Sequence, residues 1–197
     1  MAKELIRAFV AVPLAEELRP GVVAIQDRLR RCPARVKWVE AQNLHFTLKF
    51  LGDIGPEGVQ RVLAASRRAA ENVSAFDLEL AGVGAFPNPR RPRVVWVGSL
   101  AGAEALTELA EQVEGQLAAL GFARENRPFQ AHLTIGRFRD PEQAGGLAEA
   151  LAAEPEAGLG TMPVRAFELM RSDLRPSGPI YTSLGTIPLS GEGVANG

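Results

Sequence analysis

One short phrase occurs in two closely similar copies, and it contains both histidines of the chain. The first copy is His45-Phe46-Thr47-Leu48, and the second, 87 positions later, is His132-Leu133-Thr134-Ile135. Each copy lies in an apolar run of strand length, so we predict that both form β-strands. Because alternate side chains of a strand share a face, the histidine and the threonine of each copy should point the same way. We call these two segments the HxT strands.

The remaining side chains of the HxT strands should face the core. These are Phe46, Leu48 and Phe50 on the first strand, and Ala131, Leu133 and Ile135 on the second. Strict alternation then puts Arg137 on the face opposite His132, unless a bulge at Gly136 turns the chain.

The surroundings of the two HxT strands also match. Each half of the chain reads strand, helix, HxT strand, helix, strand, turn and strand, and a Pro-Glu helix start follows each HxT strand, at Pro56-Glu57 and Pro141-Glu142. This repetition indicates an internal duplication. The predicted fold is α+β, with two pseudo-symmetric lobes. Each lobe has a mostly antiparallel sheet with helices on its outer face, and an active-site cleft lies between the sheets.

Hydrophobic periodicity and turn residues give the boundaries of the individual elements. The predicted helices cover residues 16–29, 56–72, 106–120 and 140–153, and the predicted strands outside the HxT strands cover 6–12, 76–80, 94–97, 164–170 and 180–189. We expect a single bilobed domain over residues 1–189. Residues 190–197 are small and polar, which predicts a disordered tail.

Composition limits the class of protein. Hydrophobic residues make up 46% of the chain, charged residues make up 23%, and the net charge is −1, which is typical of a soluble globular protein. No apolar run approaches the length that crosses a bilayer. Cys32 is the single cysteine, which excludes an internal disulfide and a multi-cysteine zinc site. We therefore expect a cytoplasmic protein, with no membrane partner, that acts as a monomer.

Two clusters of basic residues contrast with this neutral balance. They are Arg28, Arg30, Arg31, Arg35 and Lys37 in the first cluster, and Arg90, Arg91 and Arg93 in the second. Each cluster could bind phosphate groups or could be solvated surface, and the sequence leaves both interpretations open.

Two histidines facing each other across a cleft suit acid–base catalysis at phosphorus. Histidine titrates near pH 6.5, so one ring can be neutral and accept a proton while the other is protonated and donates one. In-line displacement places the attacking and leaving oxygens on opposite sides of the phosphorus atom, which matches two opposed rings. The hydroxyls of Thr47 and Thr134 would hold the non-bridging oxygens.

Other interpretations of the HxT strands are weaker. A single His-x-Thr on a strand is most often a surface pair or a hydrogen-bonded core histidine, but here two matching copies contain every histidine of the chain. Two histidines could also bind zinc, yet no clustered carboxylates accompany them and threonine is a poor ligand. We therefore expect no metal.

The sequence resembles the 2H phosphoesterase superfamily, which is named for two His-x-Thr motifs, and within it the RNA 2′,3′-cyclic phosphodiesterases, also called 2′-5′ RNA ligases. The resemblance covers residues 7–189. Besides the HxT strands, the segments that carry it are Arg7-Ala8-Phe9-Val10-Ala11-Val12, Lys49-Phe50-Leu51-Gly52, Pro92-Arg93-Val94-Val95-Trp96-Val97-Gly98, Gly136-Arg137, Ser172-Asp173-Leu174 and Gly178-Pro179-Ile180-Tyr181. The superfamily often has proline directly before the second histidine, where this chain has Ala131.

The resemblance implies hydrolysis of RNA 2′,3′-cyclic phosphate ends to 2′-phosphates without metal or ATP, and a reversible joining of RNA ends through 2′-5′ linkages. By the same resemblance, His45 is the proton donor and His132 the proton acceptor. Thr47, Thr134 and Arg137 would bind the phosphate, and Phe9 would stack on the base. The implied partner is RNA that ends in a 2′,3′-cyclic phosphate or contains a 2′-5′ linkage.

Two other functions remain open at this point. One is a module that binds RNA ends or nucleotides without turnover, although binding alone requires no acid–base pair. The other is a phosphodiesterase of the same superfamily that acts on a 1″,2″-cyclic nucleotide-sugar phosphate or on 2′-5′ oligoadenylate.

Overall fold

The strands of the protein form two sheets. The computed structural model describes residues 5–154, 158–176 and 178–192. Within these residues the strands are β1 (Ile6–Pro13), β2 (Lys37–Trp38), β3 (His45–Ile54), β4 (Ser74–Phe86), β5 (Val94–Ser99), β6 (His132–Arg137), β7 (Gly160–Val164), β8 (Ala166–Arg175), β9 (Gly178–Pro188) and β10 (Ser190–Glu192). The α-helices are α1 (Arg19–Leu29), α2 (Pro56–Ala70), α3 (Ala103–Ala118) and α4 (Leu147–Ala152).

Each sheet contains one HxT strand. The first sheet has the order β3-β1-β8-β9, and all its neighbours are antiparallel. The second has the order β10-β4-β5-β6-β2, with β7 also paired to β4, and among the described residues only the β10–β4 pair is parallel. Several Cα atoms of β3 and β6 lie within 8 Å of each other, so the two HxT strands meet where the sheets approach. The α+β fold with two mostly antiparallel sheets is confirmed.

The two sheets do not correspond to the two halves of the chain. The HxT strand β3 pairs with β1, and β6 pairs with β5, as a duplication predicts. In the first sheet the next strand comes from the opposite half, because β8 pairs with β1. In the second sheet β5 lies where the two halves meet, and it pairs on its other side with β4 of the first half. Each lobe is therefore completed by strands that cross from the other repeat.

Helices of each repeat likewise contact the HxT strand of the other repeat. From α1, the side chain of Gln26 reaches the backbone of β6, and from α3, the side chain of Glu114 reaches Lys49 on β3. Helix α2 packs on β9, where a Cβ atom on Gly185 would lie 2.8 Å from Leu63 Cδ2. The buried apolar residues of both sheets and all four helices form one continuous core.

Several predicted boundaries are wrong. The first predicted helix opens with a 3-10 turn, Glu16–Leu18, before α1. The predicted helix at 140–153 is a 3-10 turn, Pro141–Gln143, followed by the short α4. Gly146 separates the two with a φ of 74°, a left-handed conformation that interrupts a right-handed helix. The predicted strand at 164–170 is two strands, because β7 ends at Val164 and β8 begins at Ala166.

The predicted disordered tail is also wrong in its first three residues. Strand β10 pairs in parallel with the start of β4, with Ser190 opposite Ser74. The Ser190 hydroxyl donates a hydrogen bond of 2.9 Å to the carbonyl of Val73. Residues 193–197 of the predicted tail lie outside the described residues.

Candidate active site

A β-bulge interrupts each HxT strand directly after its threonine. On β3, Thr47 pairs with Ala11 and Lys49 pairs with the adjacent Val10, so Leu48 is the extra residue. On β6, Thr134 pairs with Trp96 and Gly136 with the adjacent Val95, so Ile135 is the extra residue. The bulges occupy equivalent positions in the two repeats.

The bulges reverse the side-chain alternation that the sequence predicts. Residues 48 and 49 are both buried on β3, as are 135 and 136 on β6. Phe50, predicted to lie in the core, is instead 57% exposed, because the bulge at Leu48 turns it outward. Arg137 is turned by the bulge at Ile135 onto the face of His132 and Thr134, one residue earlier than the bulge position considered from sequence.

A buried glutamine stabilises the bulge in β6. Gln26 is 1% exposed, and its side-chain amide donates to the carbonyls of Ile135, at 2.9 Å, and Val39, at 2.8 Å. The backbone N–H of Val39 also donates to the Ile135 carbonyl, at 3.0 Å. Gly136 fits against β2 and the residue before it, since a Cβ atom there would lie 2.5 Å from Val36 Cγ1 and 3.1 Å from Trp38 Cε3. These contacts fix the chain just before Arg137.

A buried ion pair occupies the equivalent position behind β3. Lys49 is 3% exposed, and its Nζ lies 2.7 Å from a carboxylate oxygen of Glu114 and donates a hydrogen bond of 2.5 Å to the Ala123 carbonyl. Glu114 also accepts a hydrogen bond of 2.7 Å from the backbone N–H of Glu125. The pair therefore links β3 to α3 and to the loop that leads to the second HxT strand.

Both histidines are held in the same tautomer by the same local contact. Nδ1 of His45 lies 2.7 Å from the carbonyl of Asn43, and Nδ1 of His132 lies 2.7 Å from the carbonyl of Gln130. A carbonyl only accepts, so in each ring Nδ1 carries the proton. Nε2 of each neutral ring is then the free, basic nitrogen.

Aromatic rings pack against both histidines. The centroids of Phe9 and Tyr181 lie 4.9 and 5.3 Å from that of His45, and the centroid of Phe86 lies 5.2 Å from that of His132. Burial lowers the pKa of His45 to about 4, although the hydrogen bond to Asn43 opposes this shift. Burial likewise lowers the pKa of His132, against the hydrogen bond to Gln130.

Arg137 acts electrostatically on both rings. Its guanidinium contributes to the lowered pKa of His45 and of His132, and it partly offsets the raised pKa that burial gives Tyr181. The same arginine therefore acts on the histidines of both repeats. Thr47 and Thr134 share the faces of their histidines and are half-buried, opposite Ala11 and Trp96.

The predicted stacking role of Phe9 does not fit this arrangement. Phe9 lies beside His45, but it is only 3% exposed and is covered by Tyr181, at 4.9 Å between centroids, and Phe50, at 6.1 Å. A base could reach the ring only if these neighbours moved away.

The first basic cluster is partly neutralised by acids. Arg28 pairs with Glu154, at 2.6 Å, and Arg30 pairs with Asp27 and lies over the ring of Trp38. Lys37 instead lies beside Arg137, as its partner in the β2–β6 pair. Lys37 is therefore paired in the sheet with a residue of the candidate site.

Sequence reasoning missed Gln26, and it assigned no role to Tyr181. Gln26 interrupts an otherwise apolar helix face, which was a usable signal. Tyr181 stood in a segment of the resemblance, but its contact with His45 depends on β9 joining the first sheet.

The described residues provide neither a metal-ligand cluster nor a membrane-spanning helix. No three His, Cys, Asp or Glu side chains among them lie close enough together to hold a metal ion. None of the helices described is long and apolar enough to span a bilayer.

Comparison with known protein families gives a match over both halves of the chain. The family model described as LigT like Phosphoesterase matches twice, over residues 12–96 and 97–181. The chain belongs to the LigT-like phosphoesterase family. The two matches place one HxT strand in each repeat, so the duplication inferred from the sequence is confirmed.

Two curated relatives in this family carry the name RNA 2′,3′-cyclic phosphodiesterase. The protein of Methanothermobacter thermautotrophicus is 41% identical over 179 residues, covering 91% of this chain and 96% of the relative. That of Archaeoglobus fulgidus is 41% identical over 181 residues, covering 91% and 98%.

Solved structures of LigT-like proteins have the same fold. A Thermus thermophilus protein superposes with a TM-score of 0.76 at 32% identity, covering 95% of this chain and all of the other. Escherichia coli LigT in complex with 3′-AMP superposes with a TM-score of 0.75 at 28% identity, with the same coverage.

Proposed function

We propose that this protein is an enzyme that hydrolyses RNA 2′,3′-cyclic phosphate ends to 2′-phosphates by acid–base catalysis with its two histidines. The proposal is carried by one observation: each HxT histidine holds its Nδ1 proton on a backbone carbonyl two residues earlier, which leaves two matched Nε2 atoms for proton transfer. The shared name of the curated relatives supports the substrate class.

The proposed reaction uses one neutral and one protonated ring. His132 Nε2 takes a proton from water as the water oxygen bonds to phosphorus, and the bond from phosphorus to the 3′ oxygen breaks. His45, protonated at Nε2, gives its proton to that leaving oxygen. The product carries a phosphate on the 2′ oxygen and a free 3′ hydroxyl, and proton exchange with solvent restores both rings.

Because the pKa of His45 is lowered, the proposed proton donor must gain its proton when the substrate binds. In the free protein burial keeps His45 neutral at pH 7, because it lowers the pKa to about 4. A bound phosphate anion favours the protonated ring and raises that pKa. The donor is therefore protonated mainly when substrate is present. Thr47, Thr134 and Arg137 would bind the non-bridging oxygens and stabilise the charge that develops on them.

Joining of RNA ends follows from the same chemistry. If a 5′ hydroxyl replaces water as the attacking group, the phosphate stays on the 2′ oxygen and the product is a 2′-5′ linkage. We propose that this joining is a reversible side reaction. We further propose that the enzyme is monomeric and cytoplasmic and needs no cofactor.

The test is an RNA oligonucleotide that ends in a 2′,3′-cyclic phosphate, incubated with the protein in excess chelator. We expect conversion to the 2′-phosphate, and loss of at least about a hundredfold in rate for His45→Ala and for His132→Ala. Thr134→Val should lower the rate, whereas the matched control Thr161→Val, on an exposed position of β7, should not.

The outcomes separate the rival functions. Tight retention of the oligonucleotide without product would indicate a binding module, and full activity of either histidine variant would exclude the proposed mechanism. Turnover of 2′-5′ oligoadenylate or a 1″,2″-cyclic nucleotide-sugar phosphate in preference to the cyclic RNA end would assign a different substrate within the family.

A further inference from the structure

A cavity of about 240 Å³ opens beside Arg137. One wall comes from β2 and the segment that follows it, and the other comes from the hairpin of β8 and β9. The side chains that matter for its chemistry are Lys37, Trp38, Glu40, Arg137, Leu174 and Tyr181. This volume is below the range usual for a whole drug-sized ligand, so it suits one ring system.

The cavity is continuous with the proposed catalytic site. Tyr181 lines it and also packs against the His45 ring, and Arg137 lines it and acts on both histidines. Asn43 lines it as well, and its carbonyl holds Nδ1 of His45. A nucleoside whose phosphate lies between the histidines can therefore place its base in this cavity.

The walls combine apolar surface with two opposite charges. Leu174, on the hairpin, lines the cavity and is 68% exposed. Lys37 and Glu40 stand on the opposite wall. Glu40 is exposed and accepts a hydrogen bond from Gln42 through Oε2, and its Oε1 lies 3.8 Å from where a Cβ on Gly178 would lie.

This charge arrangement matches one base better than the others. A carboxylate only accepts hydrogen bonds, and guanine offers two adjacent donors, N1–H and the exocyclic amine. The same base offers O6 and N7 as acceptors, which lysine and arginine side chains contact. Adenine presents one donor, the N6 amine, beside an acceptor at N1, so it offers the Glu40 carboxylate one hydrogen bond where guanine offers two.

We propose that the cavity between β2 and the β8–β9 hairpin binds the base of the terminal nucleotide, and that Glu40 makes guanine the preferred base. The inference rests on the proposed function for the position of the phosphate. In this proposal the cavity holds the base instead of Phe9, because the Phe9 ring is covered.

The first experiment measures binding without turnover. Calorimetric titration with guanosine 2′-monophosphate and adenosine 2′-monophosphate, the products of the proposed reaction, should give at least about tenfold tighter binding of the guanosine compound. Glu40→Gln should remove most of this ratio while leaving adenosine binding within about twofold. The control Glu71→Gln, on an exposed residue outside the cavity, should retain the ratio.

The second experiment compares four oligonucleotides that differ only in the base carrying the cyclic phosphate. We expect kcat/KM to be highest for guanosine, and Leu174→Ala to lower it for all four. Turnover with equal kcat/KM for all bases would overturn the subsite while leaving the proposed function intact. Guanosine-selective binding without turnover would support the subsite and overturn the function.

A final variant tests the competing aromatic surface. Phe50 is exposed at the rim of the cleft and could stack on a base without any charge recognition. If Phe50→Ala weakens binding of both monophosphates and the Glu40 and Leu174 variants do not, the base lies on Phe50 and the proposal is wrong.

Discussion

At the scale of single residues, the environment of the two imidazoles controls the chemistry. Each ring is fixed by a carbonyl at Nδ1, packed against aromatic rings and exposed to the field of Arg137. Burial, the larger effect on both pKa values, disfavours the imidazolium that a proton donor needs. We therefore expect the charge of a bound phosphate to shift both rings toward the protonated form.

The pH dependence of catalysis should reveal this coupling. Profiles of kcat/KM report groups of the free enzyme and profiles of kcat report groups of the complex. Because the bound phosphate raises the histidine pKa values, we expect the bell-shaped kcat profile to lie at higher pH than the kcat/KM profile. Steady-state kinetics from pH 4 to 9 measure both. Two superimposed profiles would contradict a substrate-charged donor.

The same pKa shift predicts how stability depends on pH. The folded pKa of His45, about 4, lies below the unfolded value near 6.5, so the unfolded state binds more protons between these values. This contribution to stability is complete above pH 6.5 and is lost as the pH falls toward 4. It amounts to about 2 kcal/mol between pH 8 and pH 5.

Denaturant titrations of the wild type and His45→Gln at pH 8 and pH 5 measure this contribution. The variant should lose about 2 kcal/mol less than the wild type over that interval. His132→Gln should change the pH dependence in the same direction, because the pKa of His132 is also lowered. An unchanged pH dependence in His45→Gln would show that the ring is not buried in its neutral form.

At the scale of secondary-structure elements, the two bulges determine which side chains enter the cleft. Each bulge is supported from behind by a polar side chain of the helix from the opposite repeat, Gln26 behind Ile135 and Glu114 through Lys49 behind Leu48. Gln26 supports its bulge through neutral hydrogen bonds, whereas Glu114 supports its bulge through an ion pair with Lys49. The first should therefore affect mainly the aim of Arg137, and the second the attachment of α3.

Gln26→Met tests the support of the second bulge. The substitution leaves the Ile135 and Val39 carbonyls without their side-chain donor, and Arg137 loses its fixed approach. We expect kcat/KM to fall by about ten- to a hundredfold, with a loss of about 1–3 kcal/mol in stability.

A double-mutant cycle separates positioning from general destabilisation. Gln26→Met combined with Arg137→Gln should be little slower than Arg137→Gln alone, because both changes remove the same interaction. Gln60→Met, on an exposed face of α2, is the matched control. Fully additive losses would mean that Gln26 has only a structural role.

Lys49→Met tests the ion pair behind the first bulge. Removing one partner leaves the carboxylate of Glu114, 17% exposed, without its cation, so we expect a loss of about 3 kcal/mol in the free energy of unfolding. Urea denaturation measures it, with Arg61→Met on exposed α2 as control. A loss no larger than that of the control would show that the pair contributes little.

At the scale of the whole molecule, the repeats are interlocked. Strand β1 of the first repeat pairs on its second side with β8 of the second, and β5 pairs with β4 on one side and β6 on the other. Neither repeat contains a complete sheet. The duplication that is visible in the sequence is thus not a boundary between folding units.

A fragment containing residues 1–96 should therefore not fold alone. It lacks β8 and β9 for the first sheet and β6 for the second, so β1 would expose an unpaired edge and the apolar core would remain open. We expect no cooperative thermal transition by circular dichroism, whereas the full chain should show one. A cooperative transition of the fragment would contradict the interlocked arrangement.

Local pattern was sufficient for part of this protein. The faces of the His-x-Thr pairs follow from strand alternation over three residues. Helices α2 and α3 follow from helical spacing, with a proline at the first turn of α2. Local pattern failed at Gly146, where backbone conformation breaks a predicted helix, and at Ser190, where pairing with β4 orders a segment of weak sequence signal. Those outcomes depend on contacts distant in sequence.

The sequence by itself determined that two matched imidazoles and two hydroxyls stand on strands of a duplicated α+β fold, because periodicity and repetition are properties of neighbouring residues. Only the tertiary structure decided that Arg137 and Phe50 turn outward and Lys49 inward, that Phe9 is covered, and that the lobes exchange strands. Bulges, ring contacts and strand order arise from hydrogen bonds and packing between distant segments, which alternation along one strand cannot encode.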